Sequence, residues 1–371
     1  MRCNLVKRLF AAAASFFAAA FIFIGCSDDI AKSPDIPPHL IAEPDANYTA
    51  PIEARPEFVF PEVSGALTDE QYRARVELLY TVVVYDGMRP VLSENDPVKP
   101  IYDGAKKLLA RYIVNDWHEK EDGAFEIVHA IHDYLVTDID YDFVLYSRFL
   151  SGADVSESPA FHIDGVLLNK LAVCDGLSRA FVFLCAVEGI DALRVTGSFG
   201  SSPHAWNKVK LFGEWYNIDV TSDAVYYSVE GVKYKQLSHG FFLISDRTAA
   251  EFKPTGYDFL PTPFVAERDF DYYDNYAPNI TVGGAVYSPV ITSENALVSL
   301  FGAISEQKGR IGKIELKLDF PGKAQTEYFD AYSSEIAAAY GALESPGFSM
   351  GSSVKPYFRF PGGVYLFLMY T

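Results

Sequence analysis

Cysteine is scarce in this 371-residue chain, with four in all. Cys3 falls within the N-terminal leader and Cys26 directly after its hydrophobic run, which leaves Cys174 and Cys185 for the rest. Two thiols cannot build the disulfide framework of a small stapled scaffold, so each needs its own explanation. Positive charge is also in deficit, with 31 basic residues against 49 acidic ones. That balance disfavours nucleic acid and anionic lipid as partners and leaves a protein or peptide as the fitting substrate class. Apolar residues make up 49% of the chain, including 24 Tyr and 28 Phe, enough to bury a substantial core and to exclude general disorder.

Residues 1–25 hold Arg2, Lys7 and Arg8, no acid, and an apolar and small-residue run from Leu9 to Gly25, the layout of a secretory leader. The run ends at Gly25-Cys26 and turns polar at Ser27-Asp28-Asp29, which resembles a bacterial lipoprotein cleavage site with Cys26 as the lipidated residue. An uncleaved signal anchor is the alternative, because 17 apolar residues lie at the lower edge of a bilayer span. The small Gly25 beside a lone Cys favours processing. The expectation is a cell-envelope protein held to a membrane by a lipid on Cys26. Ser27 after the anchor, rather than an acid, favours the outer membrane or cell surface. Three of the basic residues lie in the leader, so the remaining chain carries a formal charge of −21.

Residues 26–65 are rich in proline, including Pro37-Pro38, and are expected to form an extended tether. Residues 66–262 are expected to form the main domain. Within them, Lys106 to Val136 has helical spacing, with Ile127, Ala130, Ile131, Tyr134 and Leu135 on one side, and is read as a core helix. Cys174 to Glu188 reads as another helix, in which Leu177, Ala180, Phe181, Leu184 and Cys185 follow the i, i+3, i+4, i+7, i+8 rule before Gly189 stops it. Strands follow at Leu193–Gly197, Ala205–Phe212 and Trp215–Val220, the last two forming a hairpin. Beyond residue 262 the pattern restarts. Strands near 285–291, 313–320, 354–360 and 364–370, with helices over 293–307 and 333–343, predict a small α/β companion domain over 263–371.

Cys174 stands at the start of its helix, where the unpaired N–H groups carry partial positive charge and favour a thiolate. Gly176 is expected to keep the first turn open to an incoming carbonyl, with backbone N–H groups acting as oxyanion donors. Cys185 belongs to the apolar stripe of the same helix. It lies about 16 Å along the axis from Cys174, beyond disulfide reach. His204 and Asp219 sit on the two strands of the hairpin. With a two-residue turn at Phe212-Gly213, Asp219 lies opposite Trp206 and His204 is its diagonal neighbour at about 7–8 Å. A Cys-His-Asp triad follows: Cys174 as nucleophile, His204 as base, Asp219 to fix the imidazole.

The segments Ala172-Val173-Cys174-Asp175-Gly176, His204-Ala205-Trp206-Asn207 and Trp215-Tyr216-Asn217-Ile218-Asp219-Val220-Thr221 resemble the core of the transglutaminase-like superfamily. Ala130-Ile131-His132-Asp133-Tyr134-Leu135-Val136 with Tyr141-Asp142, and Phe241-Phe242-Leu243-Ile244-Ser245-Asp246, extend the likeness to roughly residues 105–250. The resemblance implies an α+β, papain-like fold, a thiol mechanism and no metal or organic cofactor. Two residues depart from the pattern: Leu177 stands where a Tyr is common and Ser222 where a Trp is common, which bears on specificity.

Trp206, His162 and Asp175 are candidates for lining a substrate groove, although Trp206 and Trp215 more often serve hairpin packing. His162 and Asn169 lie in the loop before the Cys helix, and no side-chain oxyanion donor stands out. His129 and His132 share a helix face without third and fourth ligands, so no metal is expected. The reaction expected is attack on an amide or peptide through a thioester, with hydrolysis or transamidation as the outcome. The rival from another class is a non-catalytic binding module with the same groove.

Overall fold

The computed structural model describes residues 31–32, 48–113, 115–199, 202–229, 232–251, 264–306, 313–321 and 357–368. The leader, Cys26, most of the tether and the helix expected over 333–343 lie outside these residues. The chain separates into two compact units. One holds the described residues of 36–224 and 255–267, the other those of 1–35, 225–254 and 268–371. No helix among the described residues is long and apolar enough to cross a membrane.

The first unit is mixed α and β. Strand β1 (Glu57–Val59) pairs in parallel with β2 (Arg89–Val91), and Ile52 and Phe60 are buried beside them. The extended tether expected up to residue 65 therefore ends earlier, because the apolar residues of 50–60 are absorbed into the core. Helix α1 (Asp69–Tyr80) starts at a capping box in which Thr68 and Gln71 satisfy each other's backbone N–H groups.

The single helix expected over 106–136 is two: α2 (Lys99–Tyr112) and α3 (Gly123–Asp138). Polar residues between them turn the chain, and Gly123 sits so close to Trp117 that a Cβ would fall 1.5 Å from its carbonyl oxygen. The predicted apolar face of α3 is buried throughout, and so are its polar residues His132 and Asp133.

Strand β3 (Asp140–Tyr141) leads into α4 (Phe143–Leu150), capped by Asp142, and pairs in parallel with β4 (Leu171–Ala172), setting Tyr141 beside Ala172. Helix α5 (Cys174–Val187) then runs through the core, with Phe181, Phe183, Leu184 and Cys185 fully buried. It ends at Gly189, whose φ of +72° few other residues adopt cheaply.

Three antiparallel strands follow: β5 (Ala192–Phe199), β6 (Ser202–Leu211) and β7 (Glu214–Ile218). The β6–β7 turn is Phe212-Gly213, both residues at positive φ, the conformation that matches strand twist in a two-residue hairpin. Its register pairs Leu211 with Glu214 and Asn207 with Ile218. Continued one step, it sets Trp206 opposite Asp219, as the sequence predicted. Asp219 itself leaves the strand and caps the single-turn helix α6 (Val220–Asp223).

Apart from residues 31–32, the second unit runs from Val225 rather than from 263, with the pair β8 (Ala224–Val229) and β9 (Val232–Leu237) at its start. The reason is a buried carboxylate. Glu315 accepts hydrogen bonds from Ser238 Oγ at 2.8 Å, His239 N at 2.6 Å and Tyr273 Oη at 2.8 Å. Burial opposes its charge, but the His239 ring, the charge of Lys313 and the His239 amide outweigh it and hold Glu315 at about 2. Residues 238–239 are thereby fastened to β10 (Lys313–Leu318), on which Ile314, Leu316 and Leu318 alternate inward. β10 pairs antiparallel with β11 (Val364–Leu368), and α7 (Glu294–Ser305) packs Leu297, Leu300, Phe301 and Ile304 into the same core. Residues 264–267 return to the first unit, where Lys208 Nζ donates to the Phe264 carbonyl at 2.8 Å and Trp215 meets the Phe264 ring edge-on.

Candidate active site

The start of α5 is fixed by close backbone packing. A Cβ on Gly176 would lie 2.3 Å from the Ala160 carbonyl oxygen, and one on Gly165 would lie 2.2 Å from that of Pro159. Gly176 is thus needed for contact with the 159–161 turn, a different reason from the open first turn expected of it. The same turn takes the Val173 N–H on the Ala160 carbonyl at 2.9 Å, and no side chain caps the helix at Val173. No Val173 side chain occupies the first-turn N–H groups at the thiol end, and the Cys174 N–H is met by the Tyr141 hydroxyl.

Cys174 is 6% exposed and His204 7%. The imidazole engages the Cys174 thiol on one side and Asp219 on the other, with His204 Nε2 to Asp219 Oδ2 at 2.7 Å. Burial works against a charged ring, but the charge and hydrogen bond of Asp219 and the bond to the thiol overcome it, raising His204 to about 9. Asp219 moves the other way. Burial raises it, while His204 and two donors from Ser222, its N–H at 3.0 Å and its hydroxyl at 2.6 Å, bring it below the usual carboxylate value. The ring is backed by Trp206, stacked at 6.1 Å with planes 12° apart, and Trp206 Nε1 donates to Asn217 Oδ1. The structure brings Cys174, His204 and Asp219 together as the spacing predicted.

The three groove candidates lie elsewhere. Trp206 is 1% exposed, so it supports the imidazole from beneath and walls no groove. His162 Nδ1 meets Glu77 Oε1 at 2.7 Å, and Glu77 also takes Arg179 at 3.0 Å. Burial opposes the Glu77 charge, yet these two partners hold it at about 2. Asp175 is paired with Arg179 and Arg194. His162 and Asp175 are therefore members of one ion-pair chain tying α1 and the loop before α5 to α5 and β5. Cys185 is fully buried, and burial followed by the nearby Glu188 pushes its thiol well above the usual range, as suits an inert core residue.

Three residues beside the triad were given no role in the site by the sequence. His132, fully buried, bonds Asp133 Oδ1 at 2.9 Å and reaches Asp223 Oδ2 at 3.0 Å on the helix that Asp219 caps. A separation of 91 residues gives no local signal for that contact. The hydroxyl of Tyr141 lies against Cys174, and Tyr146 donates to the Pro203 carbonyl at 2.7 Å, one residue before His204.

Residues 110–220, which contain all three triad members, match the family model described as the Transglutaminase-like superfamily. The chain carries a transglutaminase-like domain. Mouse kyphoscoliosis peptidase is 26% identical over 145 residues, 36% of this chain and 21% of the relative. The human kyphoscoliosis peptidase is 28% identical over 121 residues, 29% of this chain and 17% of the relative. The chain thus spans about a fifth of the length of these curated relatives. A solved structure described as a TGase is 18% identical, covering 42% of this chain and 34% of its own, with a TM-score of 0.25. The transglutaminase-like assignment agrees with an α+β, papain-like core in which a Cys-bearing helix packs on an antiparallel sheet.

Proposed function

We propose that the protein is a lipid-anchored cell-envelope thiol enzyme that transfers the acyl group of an amide or peptide through a thioester on Cys174. The observation that carries this reading is the buried His204–Asp219 pair at 2.7 Å, with the free side of the ring on a thiol at a helix N-terminus. In the reaction the Cys174 sulfur attacks the amide carbon, and a C–S bond forms as the carbonyl pair moves to oxygen. His204 delivers its proton to the departing nitrogen as the C–N bond breaks. Water or an amine, deprotonated by His204, then releases the acyl group. Asp219 and Ser222 hold the ring's orientation and balance its charge throughout. The Gly25-Cys26 junction supports the lipid anchor, and the acidic chain supports a protein or peptide substrate over an anionic polymer.

Iodoacetamide labelling across pH tests the thiol. Labelling of Cys174 that persists below neutrality in wild type and is lost in His204→Ala supports the enzyme. Labelling that follows an ordinary alkaline thiol curve in both proteins points instead to a binding module on the same fold. Incorporation of labelled palmitate at Cys26, abolished in Cys26→Ala, tests the anchor.

A further inference from the structure

The acyl-transfer reading leaves open which side chain stabilises the oxygen that becomes negative when the thiolate attacks. Several nearby donors are committed elsewhere. Trp206 Nε1 donates to Asn217, Asn207 Nδ2 to the Ser178 and Leu193 carbonyls, and Tyr146 Oη to the Pro203 carbonyl. His162 is held by Glu77 and the Ser156 carbonyl.

Tyr141 differs from all of these. Its strand pairs directly with the residues leading into α5: Tyr141 stands beside Ala172, and the next amide, Asp142 N, donates to the Ala172 carbonyl at 2.8 Å. The ring is fixed by Phe143 at 4.9 Å and Tyr146 at 5.9 Å and packs on the cluster of Val173, Cys174 and Ala205. From there its hydroxyl meets both the thiol and the backbone amide of Cys174. A tetrahedral intermediate on this sulfur places its oxygen within reach of that same amide, so a hydroxyl touching both atoms stands beside the position the oxygen takes up. Burial, followed by the neighbouring Cys174 and Tyr146, keeps the phenol protonated far above its usual range, as a donor must be.

We propose that Tyr141 is a catalytic residue whose hydroxyl, with the backbone N–H of Cys174, forms the oxyanion hole. This rests on the thioester reading above. On attack, the C–S bond forms, the carbonyl π pair moves to oxygen, and the Tyr141 O–H turns from the sulfur to that oxygen. When the intermediate collapses, the pair returns to the carbonyl, the leaving group departs and the O–H swings back.

Two reactions of the same thiol separate this role from simple thiol activation. Acylation by p-nitrophenyl acetate passes through an oxyanion, whereas alkylation by iodoacetamide does not. In the full chain, Tyr141→Phe is expected to lower the ratio of acylation to alkylation rate by about 10²- to 10³-fold, while Tyr85→Phe, at an exposed tyrosine outside the site, leaves the ratio within a few-fold. An unchanged ratio overturns the assignment, and a raised ratio does so too, by showing that the hydroxyl blocks the site. If wild type alkylates below neutrality but never acylates, the thioester reading itself fails. If Tyr141→Phe loses both reactions through misfolding, 3,5-difluorotyrosine at position 141 keeps the ring's shape with a more acidic hydroxyl. Acylation must then fall away at lower pH than in wild type while alkylation does not, and coincident pH profiles overturn the proposal.

Discussion

Ser222 holds the carboxylate of Asp219 by both oxygens, its amide on Oδ1 at 3.0 Å and its hydroxyl on Oδ2 at 2.6 Å. Oδ2 is also the atom that meets His204, so the serine shares the work of orienting the imidazole. The residue that departs from the family pattern at this position has thus become part of the triad's support.

Ser222→Ala removes the hydroxyl and leaves the amide. A hydrogen bond to a charged group contributes about 1.5–3 kcal/mol, so urea unfolding at neutral pH is expected to show a loss in that range. The deficit shrinks as pH falls and Asp219 takes up a proton in both proteins. A deficit independent of pH contradicts the role.

The pH dependence of stability follows from the two opposed shifts. His204 keeps its proton in the folded state to about 9, above the usual 6.5, so its contribution is complete below 6.5 and is lost as pH rises through about 9. Asp219 is depressed, so its contribution is present above the usual 3.8 and is lost as pH falls through the depressed value. Urea titrations of Cys174→Ala, in which the thiol no longer titrates, are expected to show stability declining above pH 6.5 over a narrower window than in wild type, because the thiol's share of the His204 shift is gone, with a flatter profile when His204→Gln is added.

His132 lies between two buried carboxylates, Asp133 and Asp223, and burial of the ring is outweighed by its bonds to them, which raise its pKa. His132→Leu removes the buried ring that both acids share and is expected to destabilise the domain by about 3–5 kcal/mol. Because Asp223 ends the helix that Asp219 caps, alkylation of Cys174 is expected to slow in any folded fraction. Differential scanning calorimetry and labelling of the same sample check the two effects together.

Gly176→Ala pushes a methyl against the Ala160 carbonyl at 2.3 Å and the Ala172 side chain at 3.3 Å. The Ala160 backbone must yield and the Ala172 Cβ must shift slightly, so a loss of about 1–3 kcal/mol is expected, read as a shifted urea midpoint. A neutral substitution contradicts the packing explanation for this glycine.

The Cys174-His204-Asp219 arrangement was legible in the sequence because it rests on local rules. Apolar spacing from Leu177 to Cys185 set Cys174 at a helix start, and strand parity across the Phe212-Gly213 turn set His204 diagonal to Asp219. The supporting layer was hidden because its contacts are long-range: Glu77 meets Arg179 across 102 residues and His132 meets Asp223 across 91. His162 and Asp175 look like groove residues in the sequence for the same reason, since the partners that occupy them lie far along the chain. The boundary at 262/263 followed a change in local pattern, whereas the fold divides where Glu315 gathers residues 238–239 and Tyr273.

The central claim is that Cys174 becomes covalently acylated with the help of His204. Intact-mass and peptide mapping after brief exposure to p-nitrophenyl acetate tests it directly. One acetyl group on Cys174 in wild type, absent from Cys174→Ser and strongly slowed in His204→Ala, is the predicted result. No adduct on Cys174, or an adduct that forms at the same rate without the imidazole, contradicts the account.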